Sequence, residues 1–203
     1  MKRREFLPAA AAAALLPSAL AETKRPADGR LKQSLCRWCY NRVPLDELCE
    51  EAAALGLQAI DLLEPKDWPV AQKYGLAVTI VPGPCTIPDG LNRTENHDGI
   101  ETRFKEVIDR AAEAKVKSTI VFSGNRRGMP DEQGAENTII GLNRIKKYAE
   151  DKGILTVLEL LNSKVDHKDY MCDHTAWGVR VVQEVNSPRV KLLYDIYHMQ
   201  IME

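Results

Sequence analysis

Residues Val190 to Glu203 read VKLLYDIYHMQIME, an apolar run that passes into an aspartate and a histidine three positions apart. A carboxylate and an imidazole just past the C-terminal end of a parallel strand both face the region where α/β sheets and barrels place ligands and metals. Asp195 and His198 therefore read as half of a site. The plain alternative is an aspartate that caps a loop and a histidine on its surface. Against that alternative, Glu159 repeats the pattern one strand-helix unit earlier, at the end of ILTVLELLN, residues 154–162.

Working outward, β-rich apolar runs alternate with amphipathic stretches. The expected strands are Leu31–Trp38, Gln58–Leu63, Ala77–Val81, Ser118–Phe122, Ile154–Leu160 and Val190–Tyr194. Between them apolar residues recur at helical spacing. They are Leu45, Leu48, Ala52 and Leu55 before Gly56 as a stop; Ile100, Phe104, Val107, Ile108 and Ala111; and Ile139, Leu142, Ile145 and Ala149. Trp177, Val181 and Val185 follow behind Asp173 as a cap, and the stretch from Asp67 to Tyr74 is short and contains Pro69. Strand then helix, repeated with right-handed crossovers, specifies a parallel sheet covered by helices.

Two closures of such a sheet compete. A doubly wound nucleotide fold announces itself with a Gly-rich phosphate turn, and neither G-x-G-x-x-G nor G-x-x-x-x-G-K occurs. Carboxylates at the ends of strands 5 and 6 suit a barrel instead, yet a TIM (β/α)8 barrel needs eight strands and about 250 residues. Six strands are legible in 203 residues, and Glu203 reads as a loop residue with no helix to cover strand 6.

Composition excludes some functions. With 28 Lys+Arg against 29 Asp+Glu, the chain carries no electrostatic footprint for nucleic acid. A DNA-repair endonuclease on the same scaffold would want a basic face and more histidine ligands. Cys36 and Cys39 form a lone C-x-x-C without a second pair for zinc. All five cysteines, with Cys49, Cys85 and Cys172, read first as buried small apolar residues, with a redox role or a disulfide as the alternative.

Further polar residues have plain readings beside functional ones. Asp61 and Glu64 end strand 2 and read as a salt bridge or loop cap before pocket groups. His97 and Asp98 open the third helix, with Asp98 as its N-cap. His167 and His174 read as surface or loop-packing residues. Asn162 either orients a substrate or closes its loop, and Trp38 and Trp68 either wall a pocket or pack.

From about Leu31 onward the chain resembles the hydroxypyruvate isomerase family and the wider xylose isomerase-like TIM barrel superfamily of sugar isomerases and epimerases. The match lies in YDIYHMQIME, residues 194–203, and in the Glu-bearing strand LELLN, residues 158–162. The resemblance implies one divalent metal held by carboxylates of strands 5 and 6, a His or Gln of strand 7 and a Glu of strand 8. Glu159 and Asp195 are then metal ligands, Glu159 is also a catalytic acid/base, and His198 contacts substrate oxygens. It implies a partial barrel without strands 7 and 8, a fragment expected to be inactive on its own.

The chemistry behind that ligand set is general. Moving a carbonyl to the next carbon removes a proton α to it and returns the proton next door through an enediol. A divalent metal stabilises the charge that develops on oxygen. Hard oxygen ligands suit Mg²⁺ or Mn²⁺, and one imidazole allows Co²⁺. The implied partner is a small hydroxy-carbonyl compound or sugar, with hydroxypyruvate and tartronate semialdehyde as the pair suggested by the resemblance. Room remains for a homo-oligomer, or for a non-catalytic exported sugar-binding or structural protein.

The N-terminus addresses the compartment. MKRREFLPAAAAAALLPSALA, residues 1–21, has paired arginines, an Ala/Leu run and a small-x-small site at Ala19, Leu20 and Ala21. This is the pattern of a twin-arginine export signal, which makes the export machinery a partner and the periplasm or exterior the destination. The run is too short and Ala-rich to favour a stable membrane anchor. The expected layout is a signal over 1–21, a linker over 22–30 and a partial barrel over 31–203. Changing Arg3 and Arg4 to lysine should trap the precursor in the cytoplasm; fractionation that shows unchanged export would contradict the signal.

Overall fold

The apolar runs form six strands in a computed structural model that describes residues 31–203. The signal and linker expected over 1–30 lie outside the described residues. The strands are β1 (Ser34–Cys36), β2 (Ala59–Asp61), β3 (Ile80–Val81), β4 (Ser118–Val121), β5 (Leu155–Glu159) and β6 (Val190–Leu193). Every pairing is parallel, β1 with β2 and β3 through β6 in chain order. A bridge between Ala59 and Ala77 joins the two groups, with Ile60 N donating to Ala77 O at 2.9 Å. The spatial order is thus 1 to 6, and the barrel is not closed: β1 and β6 each pair on one side among the described residues.

Helices follow the strands at the expected spacing: α1 (Leu45–Ala54), α2 (Trp68–Lys73), α3 (His97–Glu113), α4 (Asp131–Lys152), α5 (Thr175–Val185) and α6 (Ile196–Met202). Gly56, at φ +86°, ends the first of them in the left-handed region that glycine adopts without steric cost. Neighbouring helices pack in sequence, α3 on α4 and α4 on α5. Their apolar stripes, including Phe104, Ile108, Leu142, Ile145, Val181 and Val185, are fully buried and form the core with the sheet.

The alternation along β5 decides where its side chains go. Thr156 and Leu158 are fully buried, while Leu155, Val157 and Glu159 are half-buried. A methyl group on Gly178 of α5 would meet Leu192 at 2.9 Å and Leu160 at 3.3 Å, so those leucines point at the helix layer. Successive strand residues face opposite sides. Glu159 and its register partner Leu193 consequently face away from α5, toward the inner side of the curved sheet.

Four expectations are corrected. The first strand is three residues long, because Arg37–Tyr40 closes into a 3-10 turn in which the Arg37 guanidinium bonds the Tyr40 carbonyl. Asp98 lies inside the first turn of α3, whose N-cap is Asn96, and pairs with Arg144. Asp173 does not cap α5, whose N-cap is His174, because its carboxylate is taken by Arg126. Strand 6 does have a helix after it, and Glu203 bonds the start of α5, accepting from Thr175 N at 2.7 Å and Thr175 Oγ1 at 3.0 Å.

Candidate active site

Glu159 is the last residue of β5, and Asp195 stands two residues beyond β6, its neighbour in the sheet. Both carboxylates lie at the C-terminal rim. The Glu159 carboxylate makes no hydrogen bond or ion pair among the described residues, although its carbonyl accepts from the buried Tyr170 hydroxyl at 2.9 Å. Burial first, and the negative charge of Asp195 second, push its pKa up to about 7 from an ordinary value of 4.5.

Asp195 does two things. One oxygen caps α6, accepting from Tyr197 N at 2.8 Å and His198 N at 3.3 Å. Its other oxygen lies 4.0 Å from His198 Nε2, with the side chain about one-third exposed. The capping role is therefore real, but it engages Oδ1 and leaves Oδ2 available at the rim. His198 does not sit on a loop surface. It is 8% exposed, packed edgewise on Tyr197 and tilted against His167 at 5.3 Å between ring centres. Burial lowers its pKa, with Asp195 opposing, which favours the neutral imidazole.

The loop after β5 holds His198 in place. Asn162 Oδ1 accepts from Val165 N at 3.0 Å and Asp166 N at 2.9 Å, closing the loop. Its Nδ2 donates to Asp166 Oδ2 at 2.7 Å and approaches His198 Nδ1 at 2.6 Å. Behind it, Arg126 in the loop after β4 forks onto Asp173 and Asp131, and also bonds the carbonyls of Tyr170 and Met171. Burial alone would raise the Asp173 pKa; Arg126, Ser163 and His174 outweigh it and hold the carboxyl below its usual range.

The remaining candidates take plain roles. Asp61 accepts from Ser34 and Thr79, tying β1 and β2 to the segment before β3, and Glu64 has no side-chain cap bond. His97 opens α3, buried, with Nε2 2.8 Å from the Leu91 carbonyl. His174 is half-exposed and meets Asp173 at 2.8 Å. Trp68 packs in the core and donates to Leu63 O at 2.8 Å, whereas Trp38 is 65% exposed. All five cysteines are free; Cys49, Cys85 and Cys172 are buried as expected, but Cys39 is exposed. Sequence reasoning missed Arg126, whose one local signal is Asp131 five residues on.

Among the described residues no group of three His, Cys, Asp or Glu is placed to hold a metal ion. Glu159 and Asp195 nonetheless fit two positions of an oxygen-rich site, since a buried carboxylate beside a second one is relieved by a cation.

Comparison with known proteins agrees with this fold. The family model described as "Xylose isomerase-like TIM barrel" matches residues 49–203. A Danio rerio protein named "Putative hydroxypyruvate isomerase" is 24% identical over 168 residues, 82% of this chain and 56% of the relative. An L-ribulose 3-epimerase of Methylomonas sp. (strain DH-1) is 31% identical over 80 residues, 39% of this chain and 27% of the relative. The chain thus spans about half or less of the curated relatives it matches. The crystal structure of an AP endonuclease, family 2, from Brucella melitensis superposes with a TM-score of 0.75 at 20% identity, over 85% of this chain and 72% of that one. At that identity the likeness shows the fold.

The raised Glu159 pKa has a definite sign for stability. The metal-free fold prefers this group protonated, so its stabilising effect is full below about pH 4.5 and is lost as pH rises through about 7. Glu159→Gln should therefore stabilise the metal-free chain above neutral pH by on the order of 2–3 kcal/mol and give little gain near pH 4. Denaturant melts of both proteins at the two pH values check this; equal stability at high pH would contradict it.

Proposed function

We propose that this chain, which belongs to the xylose isomerase-like TIM barrel family, carries the strand 5 and strand 6 half of an exported, metal-dependent isomerase acting on a small hydroxy-carbonyl compound. The observation that carries the proposal is the pair of rim carboxylates, one of them largely shielded from water with no described Lys, Arg or His side chain paired to it. The hydroxypyruvate isomerase-like relative supports hydroxypyruvate and tartronate semialdehyde as the pair. The epimerase relative supports a second reading, epimerisation of a sugar at the same site. Export rests on the Arg3-Arg4 signal pattern.

In this reading Glu159 and Asp195 hold Mn²⁺ or Mg²⁺, with Co²⁺ also compatible. The cation supplies a Lewis acid for negative charge developing on the substrate oxygens. Glu159 accepts the proton removed from the hydroxyl-bearing carbon next to the carbonyl and returns it to the former carbonyl carbon, while the hydroxyl proton passes to the former carbonyl oxygen, with the enediol between. The burial that raises the Glu159 pKa to about 7 in the metal-free chain would be offset by a bound cation, which favours the carboxylate form that accepts the proton. His198, neutral, contacts a substrate oxygen. The same proton transfer, with return to the opposite face of one carbon by a second group, gives the epimerase.

Calorimetry of the full-length protein with Mn²⁺ or Mg²⁺, followed by NMR of hydroxypyruvate in D₂O, tests the proposal. Divalent binding and metal-dependent exchange of carbon-bound protons are expected. Asp195→Asn and Glu159→Gln should each weaken metal binding by at least about tenfold and lower turnover with it. His198→Ala should lower turnover with metal affinity retained. A full-length protein that binds no divalent metal, or an Asp195→Asn variant of unchanged affinity, would overturn it.

A further inference from the structure

Asn162 lies 36 residues before His198 and is fully buried, yet its amide meets the imidazole at 2.6 Å. The orientation of that amide is fixed independently of the histidine. Two backbone N–H groups, of Val165 and Asp166, point at one of its atoms, which must therefore be the oxygen. The other atom is the NH₂ group. It gives one hydrogen to Asp166 Oδ2 at 2.7 Å and the other to His198 Nδ1.

A neutral imidazole that accepts at Nδ1 carries its hydrogen on Nε2. That nitrogen lies on the Asp195 side of the ring, 4.0 Å from Oδ2. Asp166 is itself held from the far side by the Tyr197 hydroxyl at 2.8 Å, so the amide cannot turn without giving up a set of three partners. His167 packs on the ring face and offers no competing bond to Nδ1.

We propose that Asn162 is a positioning residue that locks His198 as the Nε2–H tautomer, so that the histidine meets its ligand only as a hydrogen-bond donor. This deepens the proposed function and rests on it for the identity of the ligand. The consequence for the substrate is specific: the group opposite His198 is an acceptor, a carbonyl, carboxylate or alkoxide oxygen. A bare hydroxyl can meet the same nitrogen only by turning its lone pairs toward it. The donor also carries no net charge of its own, and so does not compete with a cation at Glu159 and Asp195.

The test reads the tautomer directly. Long-range ¹H–¹⁵N spectra of the ¹⁵N-labelled, metal-free chain at about pH 8, above the ordinary histidine range, should show His198 as a single Nε2–H species. Asn162→Ala should lose that single species to a mixture of both tautomers. In the exchange variant carrying Asn162→Asp together with Asp166→Asn, the carboxylate-amide pair is kept but residue 162 now offers an acceptor, and the proton should move to Nδ1. In the full-length protein, Asn162→Ala should lower kcat by about 10- to 100-fold, the range found for groups that orient an active side chain. A wild-type Nδ1–H tautomer, or a tautomer indifferent to both substitutions, overturns the proposal even in an active enzyme. An Nε2–H lock that responds to both, in a protein inactive on every hydroxy-carbonyl compound, upholds the tautomer assignment and overturns the isomerase reading instead.

Discussion

A carboxylate taken out of water beside a second carboxylate is an unfavourable arrangement, and parallel pairing of β5 with β6 creates it here. The register sets Glu159 opposite Leu193, and the chain then needs only two more residues to bring Asp195 to the same rim. The alternation along β5 sends Glu159 inward because Leu158 and Leu160 are committed to the helix layer. No described side chain hydrogen-bonds or ion-pairs with its carboxylate. Natural proteins retain such local conflicts chiefly where something else resolves them, and the proposed divalent cation would resolve this one.

The surroundings keep that arrangement from relaxing. Arg126 clamps the loop after β5 through Asp173 and two backbone carbonyls, and Tyr170 braces the end of β5 from Ser123 N to Glu159 O. Asn162 closes the same loop on itself and reaches the helix that follows β6. Asp195 caps that helix, so the oxygen that satisfies α6 also fixes the direction of the one left over. Because these are bonds between successive strand-helix units, the two carboxylates and His198 are set by one connected network.

Much of this was legible in the sequence because it is periodic or local. The six strands and five of the helices follow from apolar spacing, and the rim position of Glu159 and Asp195 from where those runs end. α6 was not legible: Ile196, Tyr197, Met199, Ile201 and Met202 leave little polar face to show a helical period, and its start signal, Asp195, had already been read as a ligand. Asp173 has the composition of a cap, but a guanidinium 47 residues upstream claims it. The Asn162 bond to His198 is of the same kind, a contact whose partners become neighbours only when β5 and β6 pair. β1 and β3 are shorter than their apolar runs: β1 stops where Arg37–Tyr40 turns, and β3 begins only at Ile80, because Ala77 before it makes an isolated bridge to Ala59.

The central claim is that Glu159 is a buried carboxyl held beside Asp195 without compensation, and ¹³C NMR titration of its carboxyl in the metal-free chain tests it most directly. The structure predicts a midpoint about 7 that falls toward the ordinary value in Asp195→Asn, though not fully, because burial is the larger cause. A midpoint near 4.5 in the wild type, or one unmoved by Asp195→Asn, would contradict the account.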